Sequence, residues 1–177
     1  MKYQAYRFKY KPADIAPMVL DVDQSPLVTS SNVAHTGNVW FAGVGGGSSV
    51  IVGTNAREQF FGSQGNDTLS GGGGGDWLQG GQGNDVMTGG AGNDMFVFRR
   101  GDGPNPTTRG DGDDIITDFS AGDVLRFRGF SSKEVSTHLV DGGLMVDYGG
   151  IGGQGDGNGS ILLLGVTSLS ADAFSFG

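Results

Sequence analysis

Apolar side chains recur on every ninth residue through the middle of the chain, at Ile51, Phe60, Leu69, Leu78, Met87 and Phe96, and after an interruption at Ile116. Neither the 3.6-residue period of a helix nor the two-residue alternation of a long strand gives that spacing. In its fullest form the unit is GGxGxDx-apolar-x. Its first six positions are too rich in glycine for strand or helix, while the last three suit one very short strand. Each unit is therefore a turn followed by a strand. If successive strands fall on alternate sides of a flattened spiral, two units make one coil and the apolar eighth positions of both sheets meet inside. Before the units, Tyr6, Phe8 and Tyr10 alternate with Arg7, Lys9 and Lys11, which predicts one strand and then a loop. After residue 117 the period stops, and VDGGLMVDYGG and SILLLGV, separated by QGDGNG, predict a short antiparallel meander. The expected fold is all-β: an N-terminal strand and loop over 1–34 that docks on the roll, a right-handed parallel β-roll over 35–117, and a C-terminal antiparallel β cap over 118–177.

The polar half of the unit carries the chemistry. Asp67, Asp76, Asp85 and Asp94 hold the sixth position of 62–70, 71–79, 80–88 and 89–97, and Asp114 holds it in RGDGDDIIT, 109–117. The units at 44–52 and 53–61 keep the length and the apolar position but place Ser49 and Glu58 where the aspartate belongs, and 98–108 is an insertion. With two units per coil, Asp67 stacks near Asp85 on one edge and Asp76 near Asp94 on the other. Unit charges a few ångströms apart repel by roughly 1 kcal/mol in water and about 4 kcal/mol at an effective dielectric near 20, so a cation is expected between them. Carboxylates and turn carbonyls from Gly65, Gly74, Gly83 and Gly92 are hard oxygen donors in a flexible cage. That suits calcium; magnesium demands rigid octahedral geometry and zinc would want histidine or cysteine. The expected sites lie between Asp67 and Asp85, Asp76 and Asp94, and Asp85 and Asp114, with a weaker one at Glu58 and Asp76, about three to five ions in all. The opposing reading, a disordered acidic tract, leaves the in-register apolar positions unexplained.

Composition narrows the classes further. Glycine accounts for 36 of 177 residues without a three-residue period, which excludes collagen and any helical fold. The net charge of −8 disfavours nucleic acid as a partner and favours cations. There is no cysteine, hence no disulfide, thiolate metal site or cysteine nucleophile. The basic start is followed by ADIAPMVLDVD, interrupted by Asp14, Pro17 and Asp21, so no cleavable signal peptide is expected. No apolar run approaches the ~20 residues of a membrane span. Trp77, at an outward seventh position, either stacks on a sugar or is covered by the N-terminal segment. Lys2 to Lys11 is either a docked strand or a site for acidic polysaccharide through Arg7, Lys9 and Lys11. His35 and His138 are lone histidines without paired carboxylates. Nothing resembles HExxH, GxSxG or a P-loop, so the chain is not expected to be an enzyme.

The repeat GGxGxDx-apolar-x resembles the calcium-binding nonapeptide of RTX proteins, which form a parallel β-roll. Beyond the repeats, FVF, DIITDFSAGDVLRF and LSADAFSF resemble the C-terminal domain of serralysin-type proteases, RTX lipases and the R-modules of alginate epimerases, so that the likeness covers roughly 44–177. It implies a calcium-loaded roll with a small β cap, in which Asp118 and Asp123 join the candidate ligands. It also implies a non-catalytic module of a secreted, extracellular protein whose uncleaved C-terminus, with Asp172, Phe174 and Phe176, is recognised by type I secretion machinery. The alternative it leaves open is a carbohydrate-binding or adhesive module of an extracellular polysaccharide-modifying enzyme.

Overall fold

The computed structural model describes residues 47–100, 112–149 and 159–177 and places two further strands, Leu27–Thr29 (β1) and Val39–Ala42 (β2). The strand expected over 6–10, Arg7, Lys9, Lys11, His35 and most of the insertion lie outside the described residues. From residue 50 each nine-residue unit supplies one strand: β3 (Val50–Val52), β4 (Glu58–Gln64), β5 (Thr68–Gly73), β6 (Trp77–Gln82), β7 (Val86–Ala91) and β8 (Met95–Arg99). These are followed by β9 (Asp113–Ile116), β10 (Val124–Arg128), β11 (Val135–Val140), β12 (Gly143–Tyr148), β13 (Gly159–Leu164) and β14 (Phe174–Phe176).

Strands alternate between two sheets, as turn-plus-strand units on a flattened spiral must. One sheet runs β1-β3-β5-β7-β9-β13-β12-β11 and the other β14-β10-β8-β6-β4-β2. Within each, the pairing is parallel at an offset of one coil, with Leu69 opposite Met87 and Phe60 opposite Leu78. Across the insertion Met87 meets Ile116 and Phe96 meets Leu125, so the eleven extra residues leave the stacking register intact. The eighth-position side chains Ile51, Leu69, Met87 and Ile116 of one sheet face Phe60, Leu78, Phe96 and Leu125 of the other, and all eight are fully buried. The core is thus a double file of single side chains, each stabilising the fold by about 1.5–3 kcal/mol through burial.

Strands run longer than the three residues expected. In β5 and β7, Gly72 pairs with Gly90 and Gly73 with Ala91, because neighbouring coils present glycine at the same places and their backbones approach closely enough to continue the ladder. Parallel stacking also runs past residue 117. β10 lies parallel on β8, β14 parallel on β10, and β13 parallel on β9. The meander then completes the larger sheet with β12 and β11, antiparallel and joined by the two-residue turn Asp141–Gly142, where Gly142 has φ +92°. An aromatic cluster closes this end of the roll: Phe127 packs on Phe98 at 5.5 Å and on Tyr148 at 5.3 Å, and Phe130 meets Tyr148 edge-on at 5.3 Å.

Candidate metal centre

The acidic residues sit where a turn hands over to a strand. Asp67, Asp76, Asp85 and Asp94 immediately precede β5, β6, β7 and β8, Asp114 lies in β9, Glu58 opens β4 and Asp123 precedes β10. Since strands of one sheet are a coil apart, these residues stack in two files along opposite edges. Each aspartate carboxylate in the files accepts the peptide N–H of the residue one coil earlier. Ser49 N–H donates to Asp67 Oδ1 (2.6 Å), Asp67 N–H to Asp85 (2.7 Å) and Asp85 N–H to Asp114 (2.9 Å). On the other edge Glu58 N–H donates to Asp76 (2.8 Å), Asp76 N–H to Asp94 (2.8 Å) and Asp94 N–H to Asp123 (2.9 Å). One oxygen of each of these aspartates is thus met by a peptide dipole.

The other oxygen is not. Oδ2 of Asp67, Asp76, Asp85 and Asp94 is buried and has no hydrogen-bond donor, on side chains no more than 2% exposed. These atoms point at the first glycine of their own unit. A Cβ on Gly62, Gly71, Gly80 or Gly89 would collide with Oδ2 of Asp67, Asp76, Asp85 or Asp94 respectively, and on Gly62 and Gly71 also with the carbonyl oxygen of Gly80 and Gly89. Glycine therefore lets a donorless carboxylate oxygen approach the backbone closely, and at Gly62 and Gly71 a main-chain carbonyl oxygen converges on the same place. Two hard acceptors so placed repel each other unless a cation lies between them, and the donor set fits calcium. Among the described residues no three acidic or histidine side chains gather at one point. An ion held here draws on main-chain carbonyls as much as on side chains.

Burial, chiefly, pushes the carboxyls of Asp67 and Asp85 up to about 6 and that of Asp76 to about 7; Asp94 rises for the same reason. Repulsion adds to this at Asp67 from Asp85, and at Asp76 from Asp94 and Glu58, against the lowering by the peptide N–H bonds. In the metal-free roll these groups hold protons at pH values where the unfolded chain, with aspartates near 3.8, has released them. The contribution of these carboxyls to metal-free stability is therefore fully present only below about 4 and is lost as pH rises through 6–7. A shift from 3.8 to about 6 is worth on the order of 3 kcal/mol per carboxylate. At neutral pH the ladder opposes its own fold.

The other sequence-predicted ligands have different surroundings. Glu58 is fully buried, and its two oxygens accept Thr54 N–H (2.8 Å) and Thr54 Oγ1 (2.5 Å). Asp118 accepts Gly89 N–H (2.9 Å) and Gly90 N–H (2.7 Å). Asp123 Oδ2 accepts Ser120 N–H at 2.7 Å. These carboxylates are already met by the protein, unlike the four orphaned oxygens. Gly65, Gly74, Gly83 and Gly92 have φ between +107° and +139° and stack in two files: the carbonyl of Gly65 abuts Gly83 and that of Gly74 abuts Gly92. The first-position glycines Gly62, Gly71, Gly80 and Gly89 escaped the sequence reading. Their recurrence in all four full units was the available signal. Also unread was an exposed ladder in which Asn84 N–H donates to Asn66 Oδ1 and Asp113 N–H to Asn84 Oδ1.

Trp77 is half-buried with its indole N–H enclosed, and Val97, on the same outward face, is only 1% exposed, so this face is not an open aromatic platform. His138 is not without a carboxylate, as the sequence had suggested. Its Nδ1 lies 3.0 Å from Asp147 on the neighbouring strand, an exposed pair that antiparallel pairing creates.

Comparison with known proteins agrees with this geometry. The model of the RTX calcium-binding nonapeptide repeat matches residues 61–96 and 70–103. No curated protein matches the chain. Among solved structures, the AlgE6R3 subunit of the mannuronan C5-epimerase of Azotobacter vinelandii is similar over 74% of this chain and 80% of its own, at 28% identity and a TM-score of 0.53. The AlgE6R2 subunit of the same enzyme is 29% identical over 71% of this chain and 91% of its own, with a TM-score of 0.47.

Proposed function

Because the chain carries RTX calcium-binding nonapeptide repeats wound into a parallel β-roll, we propose that it is a non-catalytic module of a secreted protein which folds when it meets extracellular calcium. The observation that carries this reading is the row of buried, donorless Oδ2 atoms on Asp67, Asp76, Asp85 and Asp94. Calcium ions between Asp67 and Asp85, Asp76 and Asp94, and Asp85 and Asp114, completed by glycine carbonyls, would neutralise both files. Glu58 with Asp76 is the weakest position, since Thr54 already occupies both Glu58 oxygens. Extracellular calcium modules bind with dissociation constants of about 10⁻⁴ to 10⁻³ M, so one site adds little and several must act together. Calorimetric titration of the full chain is expected to show several coupled calcium ions. A single independent site would overturn the reading.

Type I secretion is the route this reading favours, since a roll that is unfolded where calcium is scarce leaves its C-terminus accessible. Once folded, that segment is the edge strand β14, with Phe174 and Phe176 stacked on Phe127 at 6.5 and 5.8 Å. Deleting residues 166–177 is expected to abolish export through a type I exporter, and unchanged export would refute the route. The polysaccharide-binding alternative rests on likeness to a subunit of an epimerase named for mannuronan. Retention of the calcium-loaded chain on alginate would favour it.

A further inference from the structure

The larger sheet ends on β11, and among the described residues no strand pairs with its outer edge. Four of its six residues are exposed, and Leu139 at 65% is the most exposed large apolar side chain among the described residues. Natural sheets blunt such edges with charges, proline or bulges, yet VSTHLV carries no Asp, Glu, Lys, Arg or Pro. Its hydrogen-bonding parity follows from its pairing with β12. Gly149 N–H donates to Glu134 O, so Glu134 and then every second residue, Ser136, His138 and Val140, turn their peptide groups toward β12. Val135, Thr137 and Leu139 therefore turn both N–H and C=O outward.

We propose that β11 is the interface on which a second copy of this chain docks, the two strands pairing antiparallel about a two-fold axis with Thr137 facing Thr137 of the partner subunit. The parity selects this register. Residues opposite each other in an antiparallel pair must both be hydrogen-bonded or both not, so the outward residues 135, 137 and 139 can only oppose one another. Centring on Thr137 uses all of them: Val135 opposite the partner's Leu139, and Leu139 opposite the partner's Val135. These side chains share the face of Leu144, Val146 and Tyr148, which line the core. The pairing therefore continues the apolar face across the axis and covers Leu139. The same register brings exposed Lys133, in the single helical turn Ser132–Glu134 that precedes the strand, to the same end of the interface as the partner's Asp141, in the turn that follows it. Charge complementarity at both ends and the apolar pair between them favour a second copy over an unrelated peptide. Such an interface is small, so the dimer is expected to dissociate in the micromolar range or above.

Because the chain has no cysteine, the register can be tested by crosslinking the full chain in saturating calcium, with circular dichroism confirming the fold. Residues opposed in a hydrogen-bonded pair have Cα atoms about 5.5 Å apart, within disulfide reach. Mild oxidation is expected to give a covalent dimer with Thr137→Cys and little with Ser136→Cys, whose side chain lies on the other face opposite the partner's His138. Thr137→Pro removes an outward N–H and no hydrogen bond to β12, a place where an edge strand tolerates proline, and sedimentation is expected to find it monomeric with an unchanged spectrum where the unsubstituted chain dimerises. A folded chain that stays monomeric at millimolar concentration, or equal crosslinking from positions 136 and 137, would overturn the proposal.

Discussion

Replacing Asp85 with alanine is expected to raise the calcium concentration needed for folding by at least about tenfold, more than the same change at Asp67, Asp76 or Asp94. Asp85 is the middle aspartate of its file: Oδ1 holds the peptide of Asp67, its own N–H is held by Asp114, and Oδ2 lies donorless against Gly80. It contributes to two of the proposed ion positions, and a lost ligand at each costs about 1.4 kcal/mol per tenfold of affinity. Alanine also leaves the buried Asp67 N–H unmet, a further penalty of about 1–3 kcal/mol. Asp85→Asn separates the two roles, since the amide oxygen still accepts that N–H while the charge is gone. Both variants are expected to need more calcium, and in chelator Asp85→Asn is expected to be no less stable than the parent, because it removes a desolvated charge. A calcium midpoint for Asp85→Asn equal to the parent's, followed by circular dichroism, would exclude Asp85 as a ligand.

Gly92→Ala is expected to destabilise the roll severely even in saturating calcium. The new Cβ would overlap the carbonyl oxygen of Gly74 in the coil before, and φ at this position is +139°. Neither neighbour is a flexible side chain that can move aside. The coils would have to part, breaking the stacking that aligns Asp76 with Asp94 and Leu78 with Phe96. A loss above about 4 kcal/mol, at the far end of single-substitution effects, is expected from chemical denaturation. Gly47→Ala is the control, because nothing lies within 4 Å of its added Cβ, and its cost should stay within about 0.5 kcal/mol. Comparable stability of the two variants would mean that coils do not stack at the spacing described.

The nine-residue period was enough to read the roll, because one apolar residue per unit fixes which face is inward and one aspartate per unit fixes which residues stack. Both signals concern side chains repeated at constant spacing. What the sequence concealed depends on the backbone. That each carboxylate binds a peptide N–H one coil away follows from the closeness of the coils, and no residue type announces it. The same closeness makes Gly62, Gly71, Gly80 and Gly89 part of the centre through the absence of a side chain. The continuation into β10 was masked because its turn, DFSAG, lacks the glycine pattern, although Asp123 and Leu125 keep the Asp-x-apolar spacing of Asp94 and Phe96. The His138–Asp147 contact was hidden for another reason: it depends on the hairpin register, which the turn Asp141–Gly142 sets.

The central claim, that the acid files oppose the fold until calcium neutralises them, is tested most directly by far-ultraviolet circular dichroism of the full chain in excess chelator, scanned from pH 7.5 to pH 5 and repeated with millimolar calcium. At pH 7.5 in chelator the carboxyls of Asp67, Asp76 and Asp85, which titrate at about 6 to 7, are charged, and a largely disordered spectrum is expected. Calcium should convert it to a β spectrum. In chelator, lowering the pH through 6 should recover part of that signal as protons take the place of the ions. A full β spectrum in chelator at pH 7.5, unchanged by calcium or by acid, would contradict the account.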